Sequence, residues 1–118
     1  MAGLPPILAP ALEAALSEVR QCLDKITAAS LNPRLDLRNL RAVLIDLLDS
    51  VENDPAIDVA VDELSEAAAL YLEEVPRAAA MQTESGDRAL DRRLKTITRG
   101  LADLRIVLAE AKPKARAA

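Results

Sequence analysis

Apolar residues return at every third or fourth position along almost the whole chain, the spacing that lines one face of an α-helix. From Leu12 the series runs through Leu16, Val19, Leu23 and Ile26. It predicts a first helix over about residues 11–29, stopped by Asn32-Pro33, because the residue before a proline is pushed out of helical geometry. Leu37, Leu40, Leu44, Leu47 and Val51 keep the rhythm and predict a second helix over about 37–52, with Asp36 as its cap. Asp54 suits an N-cap and Pro55 a first helical position. A third helix over 55–75 then carries Ile57, Val61, Leu64, Ala68, Tyr71 and Val75, and is expected to end or kink at Pro76. Residues 83–86 read as a loop with Ser85 as cap. The fourth helix, about 86–111, has the cleanest stripe: Leu90, Leu94, Ile97, Leu101, Leu104, Leu108 and Ala111. No sustained period-two alternation and no Asn-Gly or Asp-Gly hairpin signal predicts a strand.

Helices of about 18–25 residues joined by short links are expected to lie antiparallel to their neighbours. The chain therefore reads as all-α, a single up-down-up-down antiparallel four-helix bundle over 11–111. The rival is a helical hairpin or three-helix subunit that completes its core by dimerisation. Residues 1–10, apolar and Pro-rich, read as an arm covering one end of the bundle or as a linear docking peptide. Residues 112–118 read as a flexible basic tail.

Composition then removes chemistry. The 118 residues include no His, Trp or Phe, one Tyr (Tyr71) and one Cys (Cys22). Imidazole acid–base catalysis, phosphoryl transfer through His and Glu-x-x-His metal centres all need a residue type that the chain lacks. One thiol closes no internal disulfide, so a cytoplasmic protein is the expectation. Cys22 flanks the core stripe with only Arg20 and Lys25 near in sequence, too little to hold a reactive thiolate, and reads as a small half-buried apolar residue. No catalytic residue, no cofactor and no metal is expected. No segment approaches the roughly 20 apolar residues of a membrane span.

Charge is unevenly spread beneath a net of −4. Residues 36–75 hold eleven acids against Arg38 and Arg41, whereas residues 84–118 hold nine bases against five acids. Asp58, Asp62 and Glu66 fall at i, i+4 and i+8 on one ridge, where like charges repel mildly. Asp58, in the first turn, is favoured by the helix dipole. Arg88, Arg92, Lys95 and Arg99 form the opposing basic ridge, at outward positions of the fourth helix. Gly100 inside that helix costs about 1 kcal/mol relative to Ala and marks a close helix approach.

The remaining signal is aliphatic residues where the heptad asks for polar ones. Ile45, Val59, Leu70 and Ile106 fall at outward positions, and Leu48, Leu72 and Val107 widen the stripes. A contiguous patch of such residues marks a partner surface. The expected function is a non-catalytic, bacterial-style protein–protein interaction module: an adaptor, an assembly or secretion chaperone, or a regulatory subunit. Ile45, Leu48, Val59, Leu70 and Ile106 would supply affinity, and the charged ridges would steer encounter. The partner is another protein or a second copy in a homodimer. The alternative is a nucleic-acid or anionic-surface binder using the fourth helix with Lys112, Lys114 and Arg116. An acidic chain without aromatic stacking residues makes nucleic acid a poor fit.

Overall fold

The computed structural model describes residues 8–28, 31–81 and 84–111. They form four helices, α1 (Pro10–Thr27), α2 (Pro33–Asp49), α3 (Pro55–Met81) and α4 (Glu84–Ala109), and no strand. The helix–helix contacts fit a bundle. The pairing of α3 with α4 is the most extensive, followed by α1 with α2, while α1 approaches α3 and α4 less closely.

Three of the helices open with proline at their first position, where the missing N–H costs nothing. Asp54 caps α3 as expected, its Oδ1 accepting the Ala56 N–H at 2.9 Å. The same device opens α2 and corrects the expected boundary. Asn32, not Asp36, is the cap, its side chain accepting the Leu35 N–H at 3.2 Å. Asp36 lies instead in the first turn of α2, buried. Asn32-Pro33 therefore starts α2 rather than stopping α1. The first helix ends earlier, at Thr27, whose hydroxyl bonds back to the Leu23 carbonyl at 3.0 Å.

Pro76 does not end α3, which continues to Met81. Its ring removes the donor that the Leu72 carbonyl would use. The turn beyond it is held by tertiary contact, because Ala78 is buried against Gly86 of α4. Ser85 is likewise not a cap but lies inside the first turn of α4, beside Glu84 and Asp87, two acids favoured at the positive end of the helix dipole. Residue 83 of the expected loop lies outside the described residues.

Val19, Ile26, Leu40, Leu44, Leu47, Ile57, Leu64, Leu104 and Leu108 are almost fully buried and form one core. Burying each such side chain contributes about 1.5–3 kcal/mol. Leu8 also joins this core, as does Val51, although it lies beyond the end of α2. Residues 1–7 of the expected arm and the tail from 112 lie outside the described residues. No helix among those described is long and apolar enough to cross a membrane.

The molecule is elongated. Its radius of gyration is 15.6 Å, against about 13.5 Å for a compact domain of this length. At about 1.5 Å per residue, α3 and α4, with 27 and 26 residues, outrun the 18 of α1 and 17 of α2. Leu94 shows the consequence. The stripe predicts it in the core, yet it is 40% exposed, because it sits opposite Thr27, where α1 ends.

Candidate interaction surface

Two glycines bring α3 and α4 together. A Cβ on Gly100 would lie 3.2 Å from Leu64 Cδ1, and one on Gly86 would lie 3.1 Å from the Ala78 carbonyl oxygen. At those points α4 presents bare backbone, which lets α3 approach closely. An ion pair joins the same helices, Arg93 to Glu74 at 3.7 Å.

On the other side of α3, Ser65 accepts a hydrogen bond from Arg41 of α2 at 3.2 Å. Ser65 and Glu74 are nine residues apart, about two and a half turns at 3.6 residues per turn, so they mark opposite flanks of the helix. On the Glu74 flank the row Val59, Glu63, Glu66, Leu70, Glu74, Arg77 advances in steps of three or four. The matching row of α4 is Ala89, Arg92, Thr96, Arg99, Asp103, Ile106. A shallow groove of about 260 Å³ lined by Glu74, Ala89, Arg92, Arg93 and Thr96 joins the two rows. They make one outer α3/α4 face.

The outward aliphatics divide between faces. Val59 and Ile106, 55% and 54% exposed, lie on the α3/α4 face, with Leu70 half-buried in the same row. Ile45, 58% exposed, lies one turn beyond Arg41, on the α2/α3 side. Leu48 is half-buried and packs on the core.

The charged ridges behave differently from one another. Arg88 pairs with Glu84 at 3.3 Å and Lys95 with Asp91 at 3.1 Å, both one turn apart within α4 and well exposed. Arg92 and Arg99 make no ion pair among the described residues, nor do Asp62, Glu66 and Glu73. The acidic ridge slants around α3. Asp58 is half-buried near the α2–α3 turn, and because four residues exceed one turn of about 3.6, each step along the ridge carries it further round α3, away from the Ser65 flank, by Glu66.

The α1/α4 seam carries a feature that the heptad reading passed over. An open groove of about 400 Å³ runs between Glu13, Leu16, Ser17 and Arg20 of α1 and Thr98, Leu101, Ala102 and Arg105 of α4. Arg105 spans it and donates two hydrogen bonds to the Glu13 carboxylate. Those bonds hold the Glu13 carboxyl below its usual range. The signal was present in sequence, since Glu13 follows Leu12 and Arg105 follows Leu104, at the flanks of apolar stripes where interhelical ion pairs form.

Cys22 is half-buried. Desolvation pushes its thiol pKa up, with Glu18 and Asp36 adding to the rise against Lys25, so the nucleophilic thiolate is disfavoured. Asp36 is 8% exposed, and its Oδ2 has no hydrogen-bond partner among the described residues. Among those residues no group of three or more His, Cys, Asp or Glu could hold a metal ion. No protein-family model matches this sequence, and no curated protein or solved structure is significantly similar to it.

Proposed function

We propose that the chain is a non-catalytic protein–protein interaction module, acting as an adaptor, an assembly or secretion chaperone, or a regulatory subunit, and docking through the outer α3/α4 face. The observation that carries this reading is the exposure of Val59 and Ile106 on a face whose Glu66, Glu73, Arg92 and Arg99 make no ion pairs among the described residues. Aliphatic area supplies affinity at about 25 cal/mol per Å² removed from water. The oppositely charged rows steer encounter and fix orientation. Desolvation raises the Cys22 thiol pKa, which disfavours a nucleophilic role for that side chain.

The up-down-up-down order belongs to the same proposal. Leu64 meets Gly100 while Ala78 meets Gly86, so residue numbers rise on one helix as they fall on the other. The α1/α4 seam supports the same sense, with Glu13 beside Arg105 in one groove and Thr27 beside Leu94 in a second.

Affinity capture with the purified chain, followed by cross-linking at lysine, tests the reading. Lys95 lies on the outer side of α4 and Lys25 on α1. The expected result is partners cross-linked at Lys95 and lost from a Val59→Ser/Ile106→Ser variant. Partners that are retained by that variant, or cross-linked at Lys25 instead, would overturn it.

A further inference from the structure

We infer that the partner for the outer α3/α4 face is a second copy of this chain, related by a two-fold axis parallel to the helices; the inference rests on the docking face proposed above. The contacts Leu64–Gly100 and Ala78–Gly86 set the register between the two helices. In that register Glu66 stands level with Arg99, Glu73 with Arg92, and Val59 with Ile106. All six are exposed, and the four charged ones make no ion pair among the described residues.

A two-fold axis along the helices lays α3 of one copy over α4 of the other and keeps every level opposite itself. Each copy's Glu66 then faces Arg99 of its mate, Glu73 faces Arg92, and Val59 packs on Ile106. Every contact occurs twice, as an isologous interface requires. Like charges share the levels of Glu63 with Asp103 and of Arg77 with Arg88, which flank rather than replace the opposed pairs. The symmetry forbids sliding to another register, so the opposed pairs define a single arrangement.

The size is also sufficient. A face about 40 Å long and two helices wide offers roughly 800 Å² per copy, the area of a standard specific interface. The residues bearing the charges are exposed, so reversing them leaves the core untouched.

Sedimentation velocity over a concentration series tests the inference, using the wild-type chain, Glu66→Arg, Arg99→Glu and an equimolar mixture of the two variants, with helicity checked by circular dichroism. The wild type is expected to dimerise. Each variant alone opposes like charges at both symmetry-related contacts and should weaken the dimer by about tenfold or more. The mixture makes both contacts opposite in sign and should restore it. A wild-type chain that stays monomeric to millimolar concentration overturns the inference, and so does a mixture no tighter than its components. The docking reading itself fails on a different result, the retention of partners by Val59→Ser/Ile106→Ser.

Discussion

Arg105 of α4 grips Glu13 of α1 through both carboxylate oxygens, with Nη2 lying 3.1 Å from Oε2. It is the one ion pair among the described residues that ties α1 to α4, across a seam where the two helices otherwise leave a groove. The arginine fork matches the carboxylate geometrically and adds orientation to attraction.

The pair gives the fold an acid sensitivity of known sign. Because the folded Glu13 pKa is depressed, chiefly by the Arg105 hydrogen bonds, its stabilisation is present above the unfolded carboxylate range. It is lost as pH falls through the folded value. Glu13→Gln should lower the urea midpoint near neutral pH, and the difference from wild type should close in acid, as pH falls from the ordinary carboxylate range through the lower folded value. A gap that persists in acid would mean that the residue acts through packing rather than charge.

Gly86 and Gly100 are expected to respond oppositely to alanine. At Gly100 the new methyl meets the end of a leucine side chain, which can give by a few tenths of an ångström. The gain in helix propensity, about 0.5–1 kcal/mol, should leave Gly100→Ala neutral or stabilised. At Gly86 the methyl meets the Ala78 carbonyl oxygen at 3.1 Å and its Cα at 3.2 Å. Backbone cannot swing aside, so α3 and α4 must part. Gly86→Ala should lose about 1 kcal/mol net, as overpacking offsets the propensity gain. Paired urea unfolding curves decide it, and equal shifts for both variants would refute the contrast.

Asp36 stabilises little where it stands. Its position in the first turn of α2 is electrostatically favourable by about 0.3–1 kcal/mol. Burying a carboxyl oxygen without a donor costs about 1–3 kcal/mol, and Oδ2 is so placed. Asp36→Ala should therefore raise stability by about 1 kcal/mol, with the net sign set by the larger desolvation cost. A loss of that size, measured by urea unfolding, would show that the carboxylate has a partner supplied from elsewhere in the molecule.

The helices were legible in the sequence because their apolar rows are long and regular, and Asp54-Pro55 was legible as a start because cap and proline are local. Asn32-Pro33 was misread, since the same dipeptide can close one helix or open the next. The continuation past Pro76 was hidden because the contact that sustains it, Ala78 on Gly86, joins residues on separate helices. Exposure of Ile45, Val59 and Ile106 followed from the heptad. Their division between two faces did not, because it depends on which flank of α3 meets α2 and which meets α4.

That division makes a prediction of its own. Ile45 and Val59 are equally exposed, 58% and 55%, and by composition alone they are interchangeable members of one surface. The α2/α3 hydrogen bond from Arg41 to Ser65 puts Ile45 on one side of α3, and the Glu74–Arg93 pair marks the side that carries Val59. If docking uses the α3/α4 face, Val59→Ser removes about 1 kcal/mol of aliphatic burial at each of two symmetry-related sites, weakening self-association by about tenfold or more. Ile45→Ser, on the far flank, should leave the dissociation constant within about threefold, which is about 0.7 kcal/mol. Both side chains are exposed, so neither variant disturbs the core. Sedimentation equilibrium on the two proteins measures the contrast directly. A larger effect at Ile45 would transfer the interface to the α2/α3 side, where Asp58 and Asp62 rather than the arginines of α4 would set the charge of whatever binds.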